Sequence, residues 1–277
     1  MPLTRYACTH CGHWHQGFVG QWPNECLVCS DVRNALPPDG WDFAEALQVA
    51  CTVQNHTHVP LPGITAIGCT PVFGLGATGW IIAHEHGNIA FEAAPFYQAE
   101  ALDQIALLGG IHTVAASHPH GYGALWQLQE RFDPNVVIHR NDVCYTKAFR
   151  VTWPADDVQA LASGITLHHV GGHYDGQCVL YDADRKAAFV GDALKIDFDV
   201  DGRPAAISCH KGYHYAIPLS HGELRHYRAV FSALDFDHVF TTFEYGPGVT
   251  TDHALALFDT LLSGPPTTRA ISLGLLS

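Results

Sequence analysis

The chain has 277 residues, 47% of them apolar and 15% charged, and a formal net charge of −13 with histidine neutral. That composition excludes a disordered chain and leaves room for one main core plus something small. The acidic balance argues against nucleic acid or an anionic membrane surface as the main partner. No apolar run reaches membrane-spanning length, and Met1-Pro2-Leu3-Thr4-Arg5-Tyr6 lacks the apolar segment of a secretory signal. Twenty histidines and nine cysteines stand out. Four cysteines fall in one close pattern, while Cys51, Cys69, Cys144, Cys178 and Cys209 are scattered singly. This is the usage expected of a cytoplasmic protein with one metal knuckle, not of a disulfide framework.

The first motif is Cys8-x-x-Cys11 followed by Cys26-x-x-Cys29. Each pair brackets a tight turn that lets two thiolates face one ion, and two such turns make a tetrahedral four-sulfur site. Trp14, Phe18 and Trp22 lie between the pairs and can cover one face of it. Tyr6-Ala7-Cys8 together with Pro23-Asn24-Glu25-Cys26-Leu27-Val28-Cys29 resembles a zinc ribbon or rubredoxin knuckle. The resemblance implies a small zinc ribbon over residues 1–35 holding a structural zinc, with iron and electron transfer as the alternative.

Pro37-Pro38-Asp39-Gly40 reads as a turn, and Asp42 as the N-cap of a short helix over Phe43–Ala50. His56, His58, Pro60 and Pro62 suggest extended chain, so 36–62 is expected to be a linker with a short helix. The main domain then runs over 63–277.

From Gly63 strands and helices alternate. Ile64–Val72 predicts a strand, and Trp80–His84 and Asn88–Glu92 flank His86-Gly87 as a hairpin. Tyr97–Leu108 has helical spacing and stops at Gly109-Gly110. Ile111–Ala116 reads as a buried strand, Ala124–Phe132 as a helix, and Asn135–His139 and Ile165–Val170 as strands. Cys178–Tyr181 and Ala187–Val190 form a second predicted hairpin about Asp182–Arg185. Glu223–Leu234 is a predicted helix, His238–Phe243 a strand and His253–Leu262 the last helix. The pattern is α/β with hairpins, so the sheet is not purely parallel.

Three strand ends carry metal-binding chemistry. Ser117-His118-Pro119-His120-Gly121-Tyr122-Gly123 puts two imidazoles on one stiff loop, Gly172-His173 follows a strand, and Gly191-Asp192 follows a hairpin. Three imidazoles and a carboxylate suit zinc or iron(II).

Over Gly63–Gly246 this order resembles the metallo-β-lactamase fold superfamily. The resemblance implies an αββα sandwich with metals at one edge of two sheets, built from an HxHxDH loop, a Gly-His, a Gly-Asp and a final His. The chain departs from that pattern. Tyr122 and Gly123 stand where the family has Asp and His, and Thr242-Phe243-Glu244-Tyr245-Gly246 stands where the final Gly-His is expected. One ion, zinc or iron, is therefore expected on His118, His120, His173 and Asp192.

The implied function is a metal-dependent hydrolase acting on an ester, thioester or lactone through a metal-bound water. Asp192 would orient the water or bind the ion, and Tyr122 would donate a hydrogen bond or a proton. Loss of the second metal position disfavours phosphodiester cleavage. His210 and His214 are candidate substrate contacts, and Glu244 is a candidate replacement for the final ligand. His84-Glu85-His86 is read as a solvated turn.

A small-molecule substrate is the expected partner, without nucleic acid or membrane and with homo-oligomerisation left open. Two rivals remain: a mononuclear iron oxygenase or redox protein of the same fold, and a degenerate, non-enzymatic binding module. No Gly-x-Ser-x-Gly elbow is present, and Gly74–Gly79 opens onto a strand, not a dinucleotide-binding helix.

Overall fold

The computed structural model describes residues 1–275, so positions 276–277 of the expected main domain lie outside the described residues. The chain divides into two compact units, one from Met1 to Pro154 and one from Ala155 onward. No helix among the described residues is long and apolar enough to cross a membrane.

The first unit begins with a small sheet. β1 (Leu3–Cys8) pairs antiparallel with β2 (Trp14–Phe18), Tyr6 facing His15 and Ala7 facing Trp14. β3 (Phe43–Glu45) closes its other edge, with Cys8 opposite Phe43. The helix expected over Phe43–Ala50 is thereby corrected. Its first three residues complete the ladder of β1, and α1 runs over Ala46–Thr52 instead. Asp42 does not cap it: its carboxylate accepts from the Phe43 amide, while the Glu45 amide donates to Gln48 Oε1 at 2.8 Å.

The stretch expected as an extended linker is also corrected, because β4 (Gln54–Leu61) is the edge strand of a seven-stranded sheet. It pairs antiparallel with β5 (Ile64–Thr70), where Gly68 makes room for His56; a Cβ there would sit 2.6 Å from Nε2 of that ring. β6 (Gly79–Ile82) and β7 (Ile89–Phe91) continue the antiparallel run as the expected hairpin.

The sheet then changes sense. α2 (Ala99–Leu107) carries the chain to β8 (Thr113–Ala115), parallel to β7, and α3 (Leu125–Phe132) carries it to β9 (Asn135–His139), parallel to β8. Parallel neighbours require such crossovers. β10 (Trp153–Ala155) is the far edge strand.

The core of this unit is continuous with the small N-terminal sheet. Ala7 and Trp14 pack with Val49, Ile67, Phe96, Val114 and Leu125 in one cluster. Trp14 is 1% exposed, its Nε1 donates to the Pro95 carbonyl at 2.9 Å, and its ring meets Trp126 at 5.4 Å.

In the second unit, β11 (Val158–Ala162), β12 (Ile165–His169), β13 (Cys178–Asp182) and β14 (Ala187–Gly191) form an antiparallel meander. β15 (Lys195–Phe198) and β16 (Pro204–Ser208) begin a separate small sheet. α4 (His221–Phe231) is capped by Ser220 and Glu223, and delivers the chain to β17 (His238–Thr241), which lies parallel to β14. β18 (Tyr245–Pro247) pairs on β17, α5 (Thr251–Leu262) packs its apolar face inward, and β19 (Ile271–Ser272) completes the small sheet. Leu224, Tyr227, Phe231, Leu257 and Phe258 of the two helices share one core with Val179 and Val190 of the sheet.

Candidate metal centres

The four sulfurs of Cys8, Cys11, Cys26 and Cys29 form one buried cluster with every pair within 4.8 Å. Cys8 and Cys29 are 3.8 Å apart, and Cys11 and Cys26 are 3.6 Å apart. Ligands about 2.3 Å from a tetrahedral ion are separated by about 3.8 Å, so this donor set fits zinc or iron, and it is far too wide for disulfides. The turns create the fit: Gly12 N–H donates to Cys8 O at 2.8 Å, and Ser30 N–H donates to Cys26 O at 2.9 Å. The Cys11 thiol beside it strongly favours the thiolate of Cys26.

In the first unit, β8 ends at Ala115 and delivers His118 and His120 about a short 3-10 turn, Pro119–Tyr122. His118 is 0% and His120 8% exposed, with rings 5.2 Å apart and perpendicular at 89°. A ring nitrogen of one lies within 4.8 Å of a ring nitrogen of the other.

Behind them stands a buried carboxylate. Ser117 Oγ donates to Glu92, and Nδ1 of His118 lies 2.7 Å from that same oxygen. Glu92 follows β7 in the left-handed region at φ 58° and is 1% exposed. Gly121 makes space for it, since any Cβ there would collide with the carboxylate.

Tyr122, expected to serve the reacting group, is fully buried in the core, and its hydroxyl donates to the Asp142 carbonyl at 3.4 Å.

In the second unit, β12 leads to His173 and β14 ends at Gly191, next to Asp192. Nε2 of His173 lies 3.5 Å from Oδ2 of Asp192, and both residues are buried. This is the spacing of two ligands on one tetrahedral ion. Gly172, at φ 81°, lets the backbone approach Tyr227; a Cβ would fall 2.6 Å from its hydroxyl oxygen. Tyr227 donates to the Gly171 carbonyl at 2.8 Å and fixes the turn that carries His173.

Around this pair, Tyr213 donates to the Asp192 carbonyl at 2.9 Å, and its ring lies 5.3 Å from that of His173 and 4.6 Å from that of His210. His210 is partly buried, its Nε2 is 3.2 Å from Ser208 Oγ, and burial followed by the Lys195 charge lowers its pKa. His214 is exposed. Oε2 of Glu244 accepts from Thr241 Oγ1 at 2.9 Å, and burial, with the Asp192 charge adding to it, raises its carboxyl pKa. His84 and His86 remain in the turn between β6 and β7, with Glu85 and His86 exposed and paired at 3.3 Å.

Three residues beside the histidines escaped the sequence reading. Glu92 is an acid inside the apolar run Ile89-Ala90-Phe91-Glu92-Ala93-Ala94, which is itself a sign of a buried, engaged carboxylate. Ser117 carries no comparable signal. Tyr213 sits between the two histidines that were singled out, but its contact with Asp192 joins positions 21 residues apart.

The family profile described as the metallo-beta-lactamase superfamily matches residues 80–230, more than half of the chain. Among solved structures, a metallo-beta-lactamase from Pontibacter korlensis is similar at a TM-score of 0.53 and 16% identity, over 74% of this chain and 99% of that one. The flavodiiron protein from Giardia intestinalis is similar at a TM-score of 0.55 and 16% identity, over 76% of this chain and 60% of that one. The fold is thus α/β, the αββα sandwich class of the metallo-β-lactamases, with a small N-terminal four-cysteine element. The chain belongs to the metallo-beta-lactamase superfamily. A curated relative, the uncharacterized protein YmaE of Bacillus subtilis (strain 168), is 28% identical over 251 residues, covering 86% of this chain and 88% of YmaE.

Proposed function

We propose that the chain is a metal-dependent hydrolase of a small ester, thioester or lactone, with one catalytic ion held by His118, His120, His173 and Asp192. The observation that carries this reading is the pair of buried half-sites, His118 with His120 and His173 with Asp192, each at the spacing of co-ligands. Their order along the chain is the superfamily's. A bound ion of this kind lowers the pKa of a coordinated water toward ~7 and polarises a carbonyl oxygen.

The chain's own residues do the rest. Glu92 and Ser117 hold the Nδ1 side of His118, which leaves Nε2 to face a metal. Tyr213 anchors the backbone of Asp192. His210, packed against Tyr213 with the two rings tilted, is assigned to substrate contact, while the exposed His214 is assigned only to the rim. Tyr122 is assigned to packing, because it is fully buried in the core cluster of the first unit. The four-cysteine knuckle is assigned a structural zinc.

A panel of thioesters, lactones and aryl esters tests the reading, run with metal content measured by element. Expected are two zinc ions per chain and hydrolysis of at least one class. Activity should be lost on chelation, regained with zinc, and absent in His118→Ala and His173→Ala. Hydrolysis unaffected by both substitutions would sink the proposal.

A second reading is favoured by the likeness to a flavodiiron protein and by a sulfur cluster that suits iron equally well. Two irons per chain, with a visible absorption band bleached by reductant, would redirect the chemistry to redox.

A further inference from the structure

One glutamine ties together the two turns that carry His173 and Asp192. Gln177 lies just beyond His173 in the chain and is 0% exposed. Its backbone carbonyl accepts from the amides of Val170 at 2.8 Å and Gly171 at 3.0 Å, the residues that lead into the His173 turn. Its backbone amide donates to the Tyr174 carbonyl at 3.1 Å and closes that turn. Its side chain then reaches the other turn. Nε2 donates to the Val190 carbonyl at 3.1 Å and to the Cys178 carbonyl at 3.1 Å. The same Val190 carbonyl accepts from the Ala193 amide at 3.0 Å, the bond that spans Asp192.

The tie falls where the sheet stops holding the strand. The ladder of β13 on β14 ends with Leu180 opposite Phe189, and the register of β14 on β17 shifts between Phe189 and Gly191. The Gln177 side chain bonds Val190 in that gap. Its orientation is fixed, because both partners of Nε2 are carbonyl oxygens, which only accept. Oε1 is left buried, with no hydrogen-bond partner among the described residues. Burying an unanswered acceptor is costly. Methionine has the same reach and no such oxygen, so packing alone does not account for a glutamine here, whereas the two N–H donors do.

We infer that Gln177 is a positioning residue: its side-chain amide and its backbone carbonyl hold the His173 turn and the Asp192 turn at the separation that lets both bind one metal ion. The distance it sets is the 3.5 Å between Nε2 of His173 and Oδ2 of Asp192. It acts through the backbone on either side of that pair. The inference rests on the reading of His173 and Asp192 as ligands.

The test uses the full chain loaded with cobalt(II). An ion on the four-cysteine knuckle gives an intense thiolate charge-transfer band, and an ion on imidazole and carboxylate gives only weak visible bands, so the two sites are read separately. Gln177→Met should keep the thiolate band, weaken cobalt at the histidine site about 10-fold, the scale of losing an outer-shell partner, and shift the weak bands as the ligand spacing relaxes. A glutamine with a structural role alone would lower the unfolding midpoint when replaced, yet leave the affinity and the bands of the folded chain as they are.

Wild-type affinity or wild-type bands in Gln177→Met therefore overturn the inference while leaving the ligand reading intact. A wild-type chain with no weak visible bands overturns the ligand reading and the inference with it. Should the variant lose the thiolate band as well, the isotope-labelled wild-type chain decides the matter by NMR. During titration with zinc, the side-chain amide signals of Gln177 should shift in step with the ring signals of His173. Amide signals that stay fixed while the His173 ring signals move overturn the inference.

Discussion

Ser117 Oγ lies 2.7 Å from Nδ1 of His118 and gives its own proton to the carboxylate of Glu92. A buried acid, a hydroxyl and an imidazole thus stand in series, and the far nitrogen of the ring is fixed in direction and tautomer. Such outer partners are worth about 10–100-fold in metal affinity. Ser117→Ala should weaken the histidine-site ion by that range while the knuckle ion stays bound, as read by competition with a chelator that reports both ions.

Gly121→Ala attacks the same series from the other side. The added methyl would occupy the position of the Glu92 carboxylate. Expulsion of that carboxylate should empty the histidine site and cost roughly 1–3 kcal/mol of stability, the scale of overpacking. Urea unfolding and metal content, measured together, check it; a variant with wild-type metal content contradicts the packing described.

Thiol counting tests the knuckle. Cys51 and Cys144 are exposed, whereas Cys69, Cys178 and Cys209 are buried and the other four form the sulfur cluster. Native protein should react rapidly with a thiol reagent at Cys51 and Cys144 only. Removing metal with a strong chelator should add the four knuckle thiols to the reactive set. Six fast thiols in untreated, metal-replete protein would show that the cluster holds no ion.

His13 supplies a pH dependence. Burial, then repulsion from His15, lowers its pKa from 6.5 to about 4. Between those values the unfolded chain binds a proton that the folded chain does not, so this contribution is full above pH 6.5 and is lost as pH falls toward 4. Between pH 7 and pH 5 the loss amounts to about 2 kcal/mol. Denaturant titrations at the two pH values should show this difference in wild type, and His13→Gln should remove it. Parallel pH profiles for the two proteins would refute it.

At the second half-site, Gly172→Ala would place a methyl 2.6 Å from the Tyr227 hydroxyl at a backbone φ of 81°. Strain and collision together should destabilise the chain by about 2–4 kcal/mol and displace His173. Circular dichroism and metal stoichiometry report the two effects independently.

Much of this was legible in the sequence because the chemistry is local. The spacing Cys8-x-x-Cys11 and Cys26-x-x-Cys29 describes two turns that each form within four residues. Glycines before His173 and Asp192 mark strand ends. The hairpins and the helices from Gly63 onward follow from alternation and periodicity. What was misread depended on distant partners. Phe43–Glu45 has no strand signal of its own and becomes a strand only because β1, some 35 residues earlier, has an open edge. Gln54–Leu61, with its histidines and a proline, reads as linker until β5 pairs with it. Glu92 looked like the end of a hairpin strand, and only the fold brings it under Ser117.

The slot filled by Trp14 has a practical side. Phe96 and Trp126 line it, and the Pro95 carbonyl waits there for the indole N–H. An expression fragment that starts after the knuckle would present an open aromatic cleft and an unanswered carbonyl to solvent. Such a fragment should be recovered from inclusion bodies, not from the soluble fraction, so the first thirty-odd residues cannot be trimmed as though they were a leader.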